Sequence, residues 1–245
     1  MTSRRIRIAT YNVHKCRGLD RRVSPERIAE VIKEIDSDVV AIQEILDVQN
    51  GRPELDQARR IAAQVNGYHT CFGENRILHG GRYGNMTLSR LPVQLCRNYD
   101  VTWRKRERRG CLRTDLQVSD SAVLHIFNVH LGTGFVERRH QVRRLLSADV
   151  LNQSDFLDPR IVVGDFNEWT RGLASRFMGN AFKAVEPRAF LRYARTYPGI
   201  LPFLHLDHFY YDDRLSLKHF RLHRTRKALI ASDHLPLVAE FEFQV

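Results

Sequence analysis

A chain of 245 residues can bury a substantial core, and with no Pro/Gly/Ser-rich linker and no low-complexity block it is expected to form one domain spanning 1–245. No apolar run approaches the ~20 residues of a spanning helix, so a membrane can be met only from outside. The formal charge of +11, carried mostly by arginine, suits phosphate-bearing partners such as nucleic acid or an anionic membrane surface, or serves solubility alone.

Cys16, Cys71, Cys96 and Cys111 show neither a Cys-x-x-Cys pair nor zinc spacing, and the first ten residues lack an apolar signal-peptide core. The expectation is four reduced thiols in a cytoplasmic protein.

Residues 5 to 13 alternate, with Ile6, Ile8, Thr10 and Asn12 on one face and Arg7, Ala9, Tyr11 and Val13 on the other. This predicts a strand ending at Asn12-Val13-His14. Ser24-Pro25-Glu26 reads as an N-cap with proline at the first helical position, and Ile28, Val31, Ile32 and Ile35 mark the buried stripe. Asp38 and the run Val39 to Ile42 make a buried strand that delivers Gln43 and Glu44. A second helix is expected from about Glu54 to Val65, with Leu55, Ala58, Ala62 and Val65 inward and Asn66-Gly67 as its stop. Short strands follow around Tyr68 to Phe72 and Asn85 to Ser89. The basic stretch Trp103 to Arg109 is either a phosphate-contacting rim or a solvated loop.

A strand over 122 to 129 leads into Phe127-Asn128-Val129-His130, an echo of Tyr11-Asn12-Val13-His14. A helix with Val142, Leu145, Leu146 and Val150 inward and the β-branched strand Ile161-Val162-Val163 come next. Both halves therefore run strand, Asn-Val-His, amphipathic helix, buried strand, acid. Thirty residues separate His14 from Glu44 and 35 separate His130 from Asp165. Two similar units facing each other are implied, both delivering polar groups to one end of their strands.

Gly164-Asp165-Phe166-Asn167-Glu168 sets a carboxylate and a carboxamide two residues apart where the apolar strand ends, and period two points both the same way. Such a pair can hold a hard cation, a water or an anionic oxygen, and the same residues also suit a tight turn. Gly164 permits close approach to the backbone. Further on, Leu206-Asp207-His208-Phe209-Tyr210 places an acid in an apolar strand, which is costly unless paired, and histidine is the economical partner. Ser232-Asp233-His234-Leu235-Pro236 precedes a closing strand with Leu237, Ala239, Phe241 and Phe243 inward. His125, His205, His208 and His223 are expected to be satisfied core or surface residues.

Six segments in this order carry a resemblance: Thr-Tyr-Asn-Val (10 to 13), Ile-Gln-Glu (42 to 44), Asn-Val-His-Leu (128 to 131), Gly-Asp-Phe-Asn (164 to 167), Leu-Asp-His (206 to 208) and Ser-Asp-His-Leu-Pro (232 to 236). The chain resembles the endonuclease/exonuclease/phosphatase superfamily of DNase-I-like fold, and within it small bacterial stand-alone members. The resemblance implies an α/β fold, a four-layer α/β/β/α sandwich of two facing mixed β-sheets with helices outside. It also implies hydrolysis of phosphoester bonds with Mg²⁺ or Mn²⁺.

Residue by residue, it implies Glu44 as the metal-binding carboxylate with Asn12 beside it, and Asp233 as a second metal-side acid. Asp165 and Asn167 correspond to the pair that positions the attacking water and holds a phosphate oxygen. His234, partnered by Asp207, corresponds to a general base or a stabiliser of pentacoordinate phosphorus. His130 resembles the histidine of DNase-like, sphingomyelinase-like and inositol-phosphatase-like branches, where abasic-site endonucleases carry tyrosine. His14 stands where those repair enzymes carry an acid, so both departures argue against abasic-site repair. Arg109 aligns loosely with a substrate-contacting arginine, and with Asn85 and His14 it is a candidate phosphate contact.

The function expected is a phosphodiesterase that cleaves nucleic acid. One alternative is hydrolysis of a phospholipid or small phosphoester, motivated by the apolar, proline-broken segment Tyr197 to Leu204, which either touches an anionic membrane or packs on the sheet. A catalytically silent phosphate-binding scaffold ranks last, because no central acid or histidine is missing. No obligate protein partner is inferred.

Overall fold

The computed structural model describes residues 3–48, 55–153, 159–168, 172–185, 195–199 and 204–244. The strands are β1 (Ser3–Asn12), β2 (Val39–Asp47), β3 (His69–Leu78), β4 (Gly81–Ser89), β5 (Val93–Asp100), β6 (Gly110–Gln117), β7 (Val123–His130), β8 (Arg160–Asp165), β9 (Lys183–Ala184), β10 (Asp207–Tyr211), β11 (Ser216–Leu222) and β12 (Leu237–Gln244). The helices are α1 (Pro25–Ile35), α2 (Gln57–Gln64), α3 (Phe135–Leu145), α4 (Leu173–Ala181) and α5 (Arg226–Ala231).

Local chemistry sets several boundaries. The Ser24 hydroxyl accepts the Arg27 N–H and Pro25 opens the first turn of α1, which stops at Asp36 in the left-handed region. Helix α2 is shorter than its pattern suggested. Ala58 and Ile61 form its buried face, leaving Ala62 half-buried, and Glu54 lies outside the described residues. Strands β3 and β4 run further than expected, joined over His79 and Gly80, both with positive φ. Much of β3 is solvent-facing at a sheet edge, so its polar second half shows no alternation to read.

The twelve strands form two six-stranded sheets, ordered β11-β12-β1-β2-β4-β3 and β5-β6-β7-β8-β10-β9. Each contains one parallel pair with a helix between, β1–α1–β2 and β7–α3–β8, as the repeated sequence pattern implied. Three apolar layers hold the stack together. One packs α1, α2 and α5 on the first sheet, one fills the space between the sheets, and one packs α3 and α4 on the second. This is the expected α/β sandwich with helices outside, and each fully buried Ile, Val or Phe contributes about 1.5–3 kcal/mol.

The layer between the sheets positions the functional end. Period two keeps Ile6, Ile8, Thr10 and Asn12 of β1 on one inner face, as it does Leu124, Ile126, Asn128 and His130 of β7 and Ile161, Val163 and Asp165 of β8. On antiparallel β10 the same face reads Tyr211, Phe209, Asp207. Four strands thus change from apolar to polar toward the same end. Gly164 makes this possible between β7 and β8: its φ is +143°, and a Cβ there would sit 2.0 Å from the Val129 carbonyl oxygen.

Two cysteines depart from expectation. Cys71 on β3 and Cys96 on β5 form a disulfide that staples the edge strands of the two sheets, while Cys16 and Cys111 are free and buried. Four reduced thiols are therefore corrected to two. Disulfides persist mainly in oxidising compartments, so the cysteines no longer favour a cytoplasmic location. No helix among the described residues is long and apolar enough to cross a membrane.

Candidate active site

The polar ends of β1, β2, β7, β8 and β10 meet at one mouth. His130 on β7, Asp165 on β8 and Asp207 on β10 are direct register partners across three neighbouring strands. From the other sheet, β1 brings Asn12, and a bulge in β2 between Ile42 and Ile45 turns Glu44 toward the same space at φ 58°. Gln43, the residue before it, stays buried and donates to Thr10 Oγ1 and Asn128 Oδ1. His234 arrives from the segment before β12. His14, Lys15, Cys16, Glu44 and Asn167 all have left-handed φ, a concentration of costly backbone around one place.

Asp165 is the hub. Asn12 Nδ2 donates to Asp165 Oδ2 at 2.9 Å and to Glu44 Oε1 at 3.4 Å, linking the two sheets. The Nε2 atoms of His130 and His234 each lie 3.8 Å from Asp165 Oδ2. Burial raises the Asp165 carboxyl above the usual range and Asp207 adds to this, against the opposing pull of His234, His130 and Asn12.

The two histidines hold different protons. Arg109 Nη1 lies 3.0 Å from His130 Nδ1, and because guanidinium only donates, Nδ1 accepts and the proton sits on Nε2, facing Asp165 and Glu44. Burial, reinforced by Arg109, pushes His130 down to about 4, so the ring is neutral at pH 7. His234 Nδ1 lies 3.0 Å from Asp207 Oδ2. Burial disfavours the His234 imidazolium, but Asp207, then Asp165 and Asp233, outweigh it and push the group up to about 10. The histidine expected for the acid in the apolar strand is therefore present, and charged.

Glu44 stays ionised. Burial opposes this, yet the positive groups around it hold its carboxyl well below the usual carboxylate range. Lys15 stands against it, with Nζ 2.5 Å from Glu44 Oε2.

The remaining expected residues take less uniform places. Strand β8 ends at Asp165, and Asn167 sits in a turn at φ 50° instead of continuing the same row. Its N–H donates to Asp165 Oδ1 and its Nδ2 to the Leu131 carbonyl, both at 2.8 Å, so turn chemistry and site chemistry coexist. His14 Nδ1 lies 3.3 Å from Asp233 Oδ1, and Asn12 Oδ1 accepts the His14 N–H. Arg109 reaches the site through His130.

Asn85 requires a correction. It is fully buried, and its Nδ2 donates to the carbonyls of Gly110 and Asn128 in the opposite sheet. Both amide hydrogens are engaged, so it tethers the sheets and offers no donor to a phosphate. Asn128 likewise differs from its echo Asn12. It is buried between the sheets, where its Nδ2 donates to the carbonyls of Ile42 and Met86.

His125, His208 and His223 are satisfied by Asp115, the Glu168 carbonyl and Glu34. His205 is not, since among the described residues its buried Nε2 has no hydrogen-bond partner, and burial pushes the group down to about 2. Arg104, Lys105, Arg106 and Arg108 of the basic stretch are exposed, while Trp103 stacks on His140 of α3 at 5.2 Å. Of the segment Tyr197 to Leu204, residues 200–203 lie outside the described residues. Its near end is tied down by Gly199 N–H to the Asp233 carbonyl.

Three residues at the site were missed from sequence. Tyr197 packs its ring 4.9 Å from that of His234. Tyr83 stands beside Glu44, and burial with that carboxylate raises its hydroxyl pKa. Lys15 follows the strand in an irregular turn that no periodicity announces. The groove at the other end of β1 also carries charge, but Arg7, Asp36, Arg90 and Glu240 there pair with one another.

Residues 9–234 match the Endonuclease/Exonuclease/phosphatase family. The chain belongs to that family. Members of the Endonuclease/Exonuclease/phosphatase family include nucleases, phosphatases and phosphodiesterases, and they are generally phosphoester hydrolases that use divalent metals. The chain is 28% identical over 244 residues to Uncharacterized protein YbhP of Escherichia coli strain K12, covering 96% of this chain and 95% of that one. In fold it is similar to an endonuclease/exonuclease/phosphatase of Beutenbergia cavernae, with TM-score 0.80 and 22% identity over 98% of this chain and 72% of that one. A mannosyl-6-phosphatase of Bacteroides thetaiotaomicron is similar at TM-score 0.76 and 15% identity, over 96% and 99% of the two chains.

The donor set fits the hard divalent ion this family uses. Glu44 is an ionised oxygen donor already facing an ammonium. Asp165, Asp207 and His234 also offer atoms within 4.8 Å of one another, but an imidazolium is a poor ligand, which favours the Glu44 side.

Proposed function

We propose that the protein is a divalent-metal-dependent phosphodiesterase that cleaves nucleic acid by in-line attack of water on phosphorus. One observation carries the reading: a buried carboxylate, Asp165, stands 2.9 Å from Asn12 Nδ2 and 3.8 Å from the Nε2 atoms of both His130 and His234. An acceptor ringed by N–H donors suits a water that must lose a proton beside a phosphate that must gain stabilisation.

In this reading Asp165 orients the attacking water and takes its proton, and Asn167 fixes the Asp165 carboxylate through its backbone N–H. The His234 imidazolium and the neutral His130 Nε2–H donate to phosphate oxygens as charge builds on them. Asp207 keeps the His234 ring in place, and Arg109 does the same for His130 while fixing its tautomer. Glu44 would hold a magnesium or manganese ion with Asn12 beside it and Asp233 across His14, and that ion, when bound, supplies Lewis-acid stabilisation of a phosphate oxygen.

Nucleic acid is favoured over a small phosphoester by charge. The exposed Arg104, Lys105, Arg106 and Arg108 lie on the segment that ends at Arg109, whose guanidinium contacts His130, so the chain that enters the site carries basic side chains suited to a polyanion. The test is incubation of pure protein with single- and double-stranded DNA and RNA, Mg²⁺ or Mn²⁺, and a chelator control. Chelator-sensitive cleavage of at least one nucleic acid is expected. Failure on all four, with turnover of a phospholipid or sugar phosphate, would replace the nuclease reading by the small-phosphoester one.

A further inference from the structure

We propose that Lys15 is the cation held by Glu44 in the metal-free protein, and that it becomes a ligand of the substrate phosphate once a divalent ion has taken Glu44. The inference rests on the metal-dependent reading above and extends it to a residue that reading leaves unused.

Lys15 Nζ lies 2.5 Å from Glu44 Oε2, with the two side chains 35% and 18% exposed. Two stretches of unusual backbone make this contact. His14, Lys15 and Cys16 follow one another at φ 45°, 55° and 55°, and Glu44 sits at φ 58° in the bulge of β2. A partly exposed ion pair is too weak to hold four such residues in place.

Gln57 of α2 holds them instead. It is buried, its Nε2 donates to the Lys15 carbonyl at 2.7 Å, and its Oε1 accepts the Leu46 N–H at 3.2 Å, two residues beyond Glu44. One amide therefore clamps both backbones, and the ion pair results from a fixed geometry.

A divalent ion bound through either oxygen of Glu44 neutralises the carboxylate and sets two positive charges beside the ammonium that Oε2 carries at 2.5 Å. The Lys15–Glu44 contact thereby loses its electrostatic basis, and the ammonium turns to another anion. The Lys15 backbone is clamped, which keeps the released ammonium at the mouth of the site. The Tyr83 ring centroid lies 5.9 Å from Nζ, and His130 Nε2, which the reading above assigns to a phosphate oxygen, lies 3.9 Å from the other Glu44 oxygen, Oε1. The incoming phosphate then supplies the negative partner that the carboxylate gave up. Metal-first, phosphate-second loading follows, because without the ion Lys15 and Glu44 neutralise each other.

The test uses Mn²⁺ alone, followed by electron paramagnetic resonance of the free ion, on wild type, Lys15→Met and Glu44→Gln. Removing the competing charge is expected to tighten Mn²⁺ binding by about ten-fold in Lys15→Met, and Glu44→Gln is expected to lose it. Calorimetric titration of inorganic phosphate into the Mn²⁺-saturated proteins is expected to show binding about ten-fold weaker in Lys15→Met and preserved in Lys15→Arg. Thermal melts establish that each variant is folded. Mn²⁺ binding in Lys15→Met no tighter than wild type, or phosphate binding unchanged, overturns the proposal for Lys15. Unchanged Mn²⁺ binding in Glu44→Gln overturns the metal site itself, which is a separate result.

Discussion

Replacing Gly164 by alanine should damage the site from one residue away. An added Cβ would sit 2.0 Å from the Val129 carbonyl oxygen, and real Cβ atoms essentially never come closer than 3.0 Å to such a neighbour, so β8 must move from β7 by about 1 Å. The backbone would also have to keep φ +143°, which costs a non-glycine residue about 1–3 kcal/mol, and each kcal/mol lowers the melting temperature of a chain this long by about 2–4 °C. Asp165 is the next residue, facing His130 across that strand pair at 3.8 Å. Misplacement of a reacting group by about 1 Å is sufficient to cost on the order of 10² in rate. Gly179→Ala is the control, since it lies exposed on α4 with nothing within 4 Å of its Cβ and should stabilise by about 0.5–1 kcal/mol with activity unchanged. The assay is calorimetric melting together with the initial rate of phosphoester hydrolysis. A Gly164→Ala protein with wild-type melting temperature and a rate within a few-fold of wild type would refute the reasoning.

Two further outcomes follow from other parts of the structure. The Cys71–Cys96 bridge closes a loop with sequence separation 25, which the chain-entropy relation values at about 3.5 kcal/mol. Urea unfolding of Cys71→Ser/Cys96→Ser should show a loss of that order, and thiol titration of the unreduced, unfolded wild type should find two thiols; four would contradict the bridge. The folded His234 is held up to about 10 by Asp207 against about 6.5 when unfolded, so between those values the native state holds the extra proton and stability falls as pH rises. The contribution is complete below about pH 6.5 and lost through about pH 10, with a slope of up to about 1.4 kcal/mol per pH unit. In chelator, Asp207→Asn should flatten that decline in urea midpoints, and identical profiles for variant and wild type would contradict it.

Period two made the inner faces of the strands legible, while the four layers and most site roles came from the resemblance carried by the six ordered segments. Ile6, Ile8, Thr10 and Asn12 already trace in sequence the passage from dry core to polar mouth, and Ile161, Val163 and Asp165 repeat it. The cost of burying a lone acid called for a partner to Asp207, and the resemblance supplied His234 as that partner. What was not legible lies where periodicity fails. The bulge that turns Glu44, the left-handed run His14 to Cys16 that aims Lys15, and the turn at Asn167 are set by contacts with distant residues such as Gln57 and Leu131. The disulfide was missed for a related reason: Cys71 and Cys96 carry no motif spacing, and only the meeting of two edge strands brings them together. Asn85 was misread because a buried amide tethering two backbones has the same sequence signature as one poised for a phosphate.

Hydrolysis of DNA and RNA by the pure protein, with Mg²⁺, Mn²⁺ or chelator, run in parallel on wild type, Asp165→Asn and His234→Ala, tests the proposed chemistry most directly. Cleavage should require the divalent ion, return when it is restored, and fall by about 10²–10³ in either variant with the fold intact. Cleavage that survives the chelator, or both variants working at the wild-type rate, would contradict a reaction centred on Asp165 and its ring of donors.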